Sequence, residues 1–338
     1  MKITITDCDH GFFEPEQLVV SQSGGTLSVH QCLTPAEVIQ AATGADALLC
    51  QYASITREVL CSLPRLRVVG RYGVGVDNVD LQAATELGIP VIYAPDFCAD
   101  EVADHTLGLI LALSRQIVQM HLQYTRRHEE LTKNFSRRFA YLENVRRTRG
   151  RVLGLIGFGR IGKAVGQRAR AFGYRILVHD RYVTAEAIQE HGFEPAALDD
   201  LLRESDVVSL HCPVTPENRG LIGSRELSLM KPSAFLINAS RGALVDESSL
   251  VDSLVRRRLA GAALDVTQDE PLPAGHPLLG LEQVILSPHI AFYSRESVLQ
   301  LKKQVAQSVV NILTGNQDVP VANPAVLKLW KDGNSREK

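Results

Sequence analysis

Apolar residues in this chain come in short bursts, separated by stretches where they recur at helical spacing. Before residue 98 the bursts run Ile3 to Thr6, Ala47 to Cys50, Leu66 to Val69 and Pro90 to Tyr93, with Pro35 to Ala42 and Leu81 to Leu87 reading as helices between them. After residue 150 the same alternation resumes with Val152 to Ile156, Ile176 to Val178, Val207 to Leu210, Ala234 to Ile237, Ala262 to Leu264 and Val284 to Leu286. Continuous apolar strands alternating with helices predict parallel sheets covered on both faces, an α/β fold of two doubly wound domains. The second half supplies about six strands. Val102 to Gln119 reads as one apolar-rich helix bridging the halves through Leu107, Ile110, Leu111 and Leu113, and Tyr293 to about Leu313 as an amphipathic helix. Asn334 to Lys338 reads as a frayed end.

Length agrees with two domains, because 338 residues exceed what one core usually organises. A hydrophobic content of 45%, a charged content of 22% and a formal charge of −2 are those of an ordinary globular protein. They give no global attraction to nucleic acid or to an anionic membrane. No stretch approaches the roughly 20 apolar residues that span a bilayer. Met1 to Asp7 reads as a first strand, not a signal peptide. Cys8, Cys32, Cys50, Cys61, Cys98 and Cys212 are scattered without metal-ligand spacing, several of them inside apolar runs, so a reduced cytoplasmic protein with no metal is expected.

One basic stretch stands out, with Arg126, Arg127, Lys133, Arg137, Arg138, Arg146, Arg147, Arg149 and Arg151, partly balanced by Glu129, Glu130 and Glu143. It reads as a solvated arm. The alternative is that one or two of its arginines reach an anionic substrate across a dimer interface.

The chemistry begins at Gly157-Phe158-Gly159-Arg160-Ile161-Gly162, which follows one predicted strand and opens a helix ending near Phe172. The next strand closes on Asp180, 18 residues past the last glycine (162 to 180). The first two glycines allow a tight turn and close approach of backbone to a pyrophosphate, the third lets helix and strand pack closely, and helix N-terminal amides face the anion. Asp180 suits the adenosine ribose hydroxyls and repels a 2′-phosphate, so NAD is expected over NADP. Arg181 leaves an alternative open, since its guanidinium could pair with a 2′-phosphate.

Three polar residues follow later strands. Arg241 comes after Phe235 to Asn238, Glu270 after Ala263 to Val266, and His289 after Val284 to Pro288. Carboxyl ends of parallel strands border the ligand crevice, so the three can meet beside a nicotinamide. Hydride transfer to a 2-keto acid needs such a set. A guanidinium holds the substrate carboxylate, an imidazolium protonates the developing alkoxide, and a carboxylate beside it favours and orients the charged ring. His211, in the His211-Cys212-Pro213 strand end, reads as cofactor-adjacent.

At this point the sequence resembles the D-2-hydroxyacid dehydrogenase family over nearly its whole length. The shared motifs are Gly70-Arg71-Tyr72-Gly73-Val74-Gly75-Val76-Asp77-Asn78, Gly157 to Gly162, Asn238-Ala239-Ser240-Arg241-Gly242, Ala263 to Val266, Glu270-Pro271-Leu272 and Ser287 to Ala291. The segment from His289 to Ser294 looks most like the phosphoglycerate dehydrogenase and C-terminal-binding-protein branches. The resemblance implies a catalytic trio of Arg241, Glu270 and His289, substrate-carboxylate binding by the Val74 and Gly75 amides, and cofactor contacts from Thr106 and Asp265. With the glycine turn, the cofactor set becomes Thr106, Gly157 to Gly162, Asp180, Arg181, His211, Cys212, Pro213, Ala239, Ser240, Arg241, Asp265 and His289. It implies a homodimer. It also implies a Rossmann cofactor domain at 99–292 and a smaller, discontinuous, flavodoxin-like substrate domain at 1–98 and 293–338, with the cleft between them. The C-terminal-binding-protein branch carries tryptophan where this chain has Phe292, and the one tryptophan here is Trp330, so that branch's substrate preference does not transfer.

Candidate substrate contacts are Tyr52, Arg71, Tyr72, Val74, Gly75, Arg241, His289 and Phe292. The loops that would face the substrate also offer His10, Phe12, Phe13 and Gln51, a mixture of aromatic bulk and cations that leaves a second anionic group on the 2-keto or 2-hydroxy acid as an open alternative. The reading is an NAD-dependent 2-hydroxyacid dehydrogenase. Its rival is an NAD(H)-responsive binding or corepressor-like protein with incidental turnover.

Overall fold

The computed structural model describes residues 1–133, 139, 142 and 145–331, the last three of these by backbone alone. Arg137, Arg138 and Glu143 of the basic stretch, and the tail Asn334 to Lys338, lie outside the described residues. Contacts divide the chain into two compact units, Met1–Phe97 with Ser294–Lys338, and Cys98–Tyr293.

The first unit holds strands β1 (Lys2–Ile5), β2 (Thr26–Val29), β3 (Ala47–Cys50), β4 (Val68–Arg71) and β5 (Val91–Ile92) in the order β2-β1-β3-β4-β5, every neighbouring pair parallel. Helices α1 (Glu14–Gln22), α2 (Pro35–Ala41), α3 (Arg57–Ser62) and α4 (Leu81–Glu86) connect them. The apolar bursts become strands because both sheet faces are covered and a β-branched or leucine side chain gains about 1.5–3 kcal/mol when fully buried. One face is closed by Val38, Leu60 and Ile89, packed with Leu48, Val69 and Val91. At Gly70 a Cβ would stand 2.7–2.9 Å from Leu49, Val309 and Val305, so the C-terminal helix can lie directly on the sheet only because that position lacks a side chain.

The second unit opens with α5 (Ala99–Ser114) and α6 (Ile117–Lys133). Its strands are β6 (Val152–Ile156), β7 (Arg175–His179), β8 (Glu194–Pro195), β9 (Val207–Leu210), β10 (Phe235–Asn238), β11 (Gly261–Leu264) and β12 (Val284–Leu286), in the order β12-β11-β10-β9-β6-β7-β8 and all parallel. Helices α7 (Arg160–Ala171), α8 (Ala185–Glu190), α9 (Leu198–Glu204), α10 (Ser224–Leu229) and α11 (Glu247–Val255) complete it. The order reverses at β6 and β9, the switch point at which doubly wound sheets bind ligands beyond their carboxyl ends. The sequence predicts about six strands; the seventh, β8, is a two-residue edge strand whose Glu194-Pro195 carries no apolar signal.

The single helix expected from Val102 to Gln119 is two. α5 stops at Ser114, Gln116 adopts a left-handed φ of 52°, and α6 starts afresh. The apolar face of α5, with Ala103, Leu107, Ile110 and Leu113, belongs to the core of the second unit beside Leu153, Ile176 and Ile237.

The amphipathic tail forms α12 (Arg295–Leu313), followed by α13 (Val326–Lys331). α12 starts where it does because Ser294 Oγ accepts from Ser297 N–H at 2.8 Å and Ser297 Oγ accepts from Ser294 N–H at 2.9 Å, satisfying two end amides. Among the described residues, no helix is long and apolar enough to cross a membrane. All six cysteines are unpaired thiols.

Candidate active site

β6 ends in the glycine turn. Gly157 has φ +102°, and a Cβ there would meet the His211–Cys212 backbone at 2.6 Å. At Gly162 a Cβ would lie 2.3 Å from the Gly157 carbonyl, so the start of α7 can close on the turn only with glycine. Gly159 has nothing within 4 Å of its Cβ position and leaves the backbone open. The turn therefore presents the N-terminal end of the 12-residue α7 across open space, the arrangement that takes a pyrophosphate.

Asp180 closes the other side. Its Oδ2 accepts from Phe158 N–H at 2.7 Å, and its Oδ1 accepts from the amides of Tyr182 at 2.8 Å and Val183 at 3.1 Å. The carboxylate is thus fixed in place beside the turn, with lone pairs left for ribose hydroxyls. Arg181 and Pro213 are exposed. Ser240 Oγ donates to the Cys212 carbonyl at 2.7 Å, tying the β9 and β10 ends together around Ala239, and burial pushes the Cys212 thiol up to about 11. His211 Nε2 meets Ser209 Oγ at 2.8 Å, and burial lowers its imidazole to about 4, so the ring is neutral near pH 7. Thr106, on α5, is fully buried with its Oγ1 unpartnered, an atom waiting for a polar group. Together, the open face of Gly159, the helix amides, the fixed carboxylate and this orphaned hydroxyl fit a dinucleotide.

The candidate proton-transfer group lies past β11 and β12. His289 Nδ1 donates to Glu270 Oε2 at 2.7 Å, and the Phe292 ring stands edge-on to the imidazole at 6.3 Å. Burial works to raise the Glu270 carboxyl. The hydrogen bond and charge of His289, the Thr267 amide and the Arg241 guanidinium outweigh it and hold the group below the ordinary carboxylate range. Because a carboxylate only accepts, Nδ1 carries a proton and donates it to Glu270, which leaves Nε2 as the ring nitrogen on the other side. Arg241 caps a short 3₁₀ turn, its carbonyl accepting from Asn238 Nδ2 at 2.8 Å and its own Nη1 donating to the Ser240 carbonyl at 2.8 Å.

His289 has φ +54°, a conformation seldom adopted by a non-glycine residue. The backbone is held there by its N–H to the carbonyls of Asp265 at 2.8 Å and Ser287 at 3.1 Å. The buried Asp265 carboxylate grips the same loop, accepting from Ser287 Oγ at 2.6 Å and from the amides of Ile290 at 3.1 Å and Ala291 at 2.9 Å. His105 Nε2 completes the cluster, 3.1 Å from Ser287 Oγ. His105 and Ser287 belong to this cluster although the sequence reading named neither as a site residue. The one signal was a polar face on an otherwise apolar helix.

In the first unit the candidates are placed unequally. Tyr52 is 51% exposed and Val74 39%. Gly75 is half-buried. The loop bearing Tyr52 is organised by buried Asp7, which accepts from the amides of Gln51, Tyr52 and Ala53, a role with no trace in the sequence beyond an acid at a strand end. Arg71 Nη1 donates to the Tyr72 carbonyl at 2.8 Å, folding its guanidinium over Gly73. Tyr72, expected as a substrate contact, is corrected here. It is 3% exposed, and its hydroxyl donates to Glu16 Oε1 at 2.7 Å, because the ring fills the interior of its own unit. Of the basic stretch, Arg126, Arg127, Lys133, Arg146, Arg147 and Arg149 are exposed, while Arg151 is half-buried and pairs with Asp206 at 3.1 Å.

Residues 107–291 match the family model for the NAD binding domain of D-isomer specific 2-hydroxyacid dehydrogenases. Over 300 residues the chain is 39% identical to a glyoxylate reductase of Aeropyrum pernix, covering 88% of each chain. It is 36% identical over 325 residues to a D-3-phosphoglycerate dehydrogenase of Methanocaldococcus jannaschii, spanning 96% of this chain and 59% of that longer one. A D-lactate dehydrogenase from Aquifex aeolicus, solved with NAD and lactic acid, is similar with a TM-score of 0.81 at 28% identity, over 95% of this chain and 99% of that chain. A matched cofactor segment, two parallel sheets of the same design and relatives that share most of the chain lead to one conclusion: the protein belongs to the D-isomer specific 2-hydroxyacid dehydrogenase family, as an NAD-dependent oxidoreductase.

Proposed function

We propose that the chain reduces a small 2-keto acid to the D-2-hydroxy acid, with Arg241, Glu270 and His289 as the catalytic trio. The observation that carries this reading is the 2.7 Å contact between His289 Nδ1 and Glu270 Oε2, which leaves Nε2 as the acid. NADH, when bound, supplies the hydride. His289 Nε2–H gives its proton to the forming alkoxide, and in the reverse direction the neutral nitrogen takes it back. Glu270 holds the ring in one tautomer and favours its charged form. Arg241, whose charge is felt at Glu270, binds the substrate carboxylate. His211, at about 4, is not protonated at neutral pH and leaves the acid role to His289. The remaining contacts are assigned to Tyr52, Val74, Gly75 and Phe292, with Thr106, the Gly157 to Gly162 turn, Asp180, Arg181, His211, Cys212, Pro213, Ala239, Ser240 and Asp265 around NAD. Arg71 is the candidate for a second anionic group on the substrate.

The working form in this reading is a cytoplasmic homodimer. Exposed Ile117, Val118, Leu122 and Tyr124 on α6 and the unpaired thiols support it. The test is the loss of NADH, and in parallel of NADPH, against 2-keto acids with apolar, carboxylate, phosphate and phosphonate tails. Turnover of at least one acid is expected, with NADH preferred about tenfold, or about 1.4 kcal/mol, because of Asp180. Cofactor binding without turnover across the panel would overturn the enzymatic reading, and equal use of the two cofactors would give Arg181 the deciding role.

A further inference from the structure

The first unit contains a lysine where lysine is seldom tolerated. Lys302, on α12, is fully buried, and its Nζ lies 2.8 Å from Oε1 of Glu16, which is also fully buried. The same ammonium donates to Sγ of buried Cys8 at 3.3 Å. The rings of Phe13, Phe12 and Tyr72 enclose it, their centres 4.6, 5.1 and 5.2 Å from Nζ. Glu16 Oε1 also accepts from the Tyr72 hydroxyl, while Oε2 is buried with no hydrogen-bond partner. An ion pair accounts for the lysine and the glutamate. It does not require the sulfur, and burial pushes that thiol up, so it rests as S–H against the nitrogen.

An amine and a thiol in contact, out of water, beside a carboxylate able to take the ammonium proton, form a reactive set. We propose that Cys8 and Lys302 are a modification site, joined by a reversible Sγ–O–Nζ bridge with dioxygen as the oxidant. Glu16 first takes one proton from the ammonium, leaving the neutral amine with its lone pair. The thiol S–H and one amine N–H then break, and so does the O–O bond. One oxygen atom forms the S–O and O–N bonds, and the other leaves as water with the two hydrogens. Sulfur and nitrogen each lose two electrons, and dioxygen gains the four. The bridge removes a cation from the interior, and the protonated Glu16 stays neutral beside the Tyr72 hydroxyl. It also ties the loop after β1 to a helix residue 294 positions further along the chain. Two equivalents of a dithiol return the four electrons and restore both side chains.

The experiment compares the full chain kept in dioxygen-saturated buffer with the same protein held anaerobically, each digested without reductant and read by mass spectrometry. The expected product is a species joining the Cys8 and Lys302 peptides, heavier than their sum by one oxygen and lighter by two hydrogens. Dithiothreitol removes it, Cys8→Ser abolishes it, and Cys61→Ser, which alters an exposed thiol, keeps it. If the aerobic wild-type protein yields a separate Cys8 peptide, as thiol or sulfinic acid, with normal cleavage after Lys302, the proposal is wrong. The wild-type comparison decides the question even where the Cys8 variant fails to fold.

Discussion

Two ion pairs of nearly equal length sit in opposite surroundings. His289 and Glu270 meet at 2.7 Å with side chains 34% and 38% exposed, whereas Lys302 and Glu16 meet at 2.8 Å with both at 0%. Separation alone would rank them as equals. Their environments assign them different work. The first pair lies half in solvent, and as a solvent-screened pair it adds little to stability. The second has given up its hydration. That cost is offset only by mutual attraction, the Tyr72 hydroxyl, the Cys8 sulfur and three ring faces, so removing either partner leaves a buried charge uncompensated. The half-exposed pair stays open to solvent, and the buried pair is closed off from water.

The comparison is broken most sharply at His289. His289→Ala should lower kcat by roughly 10²–10⁴, about 2.7–5.5 kcal/mol of barrier, while urea unfolding and NADH affinity stay near wild type. Steady-state assay beside denaturant titration checks both halves. A variant retaining most of its turnover would move the acid role elsewhere.

At the buried pair the expected effect has the opposite signature. Lys302→Met keeps the length of the side chain and removes the charge, stranding Glu16. It should cost about 3–5 kcal/mol of unfolding free energy, and Lys302→Met with Glu16→Leu should recover much of that loss. Urea midpoints of the single and double variants decide it. A single variant as stable as wild type would show that Glu16 is neutral in the folded chain.

The same contrast separates what was legible in the sequence from what was not. The glycine turn, the strands on either side of it and Asp180 are local. Their spacing within one strand-turn-helix-strand passage is set by backbone geometry, and the structure places them accordingly. The meeting of His289 with Glu270, within reach of the Arg241 charge, was also readable, because each residue follows an apolar burst and parallel strands end on one side. β2 was not, since Thr26–Val29 is an edge strand without an apolar run, and neither was α1, whose Leu18, Val19 and Val20 are consecutive and lack helical spacing. The break at Gln116 has no glycine or proline to announce it. Asp7 and His105 act on backbone or side chains brought near by folding, and so does the Asp265 carboxylate, which the resemblance gave only as a cofactor contact. Tyr72 was misplaced for the same reason: its partner Glu16 is 56 residues away, and nothing local marks that tyrosine as interior.

The smallest expected effect lies in the stability of the exposed pair. Glu270 sits below the ordinary carboxylate value, so its contribution to folding is present above the unfolded value, about pH 4.3, and disappears as pH falls through the folded one. With more than a third of each side chain in solvent, the contribution should be under about 1 kcal/mol. Glu270→Gln should therefore be slightly less stable than wild type at neutral pH, and the two unfolding curves should converge in acid as wild-type Glu270 becomes protonated. Other carboxylates titrate in the same range, but they do so in both proteins and cancel in the difference. Thermal unfolding of the two proteins across this range is the measurement. A gap that persisted undiminished at about pH 3, well below the unfolded carboxyl, would assign the loss to packing of the amide. The pair would then resemble its buried counterpart more than its exposure suggests.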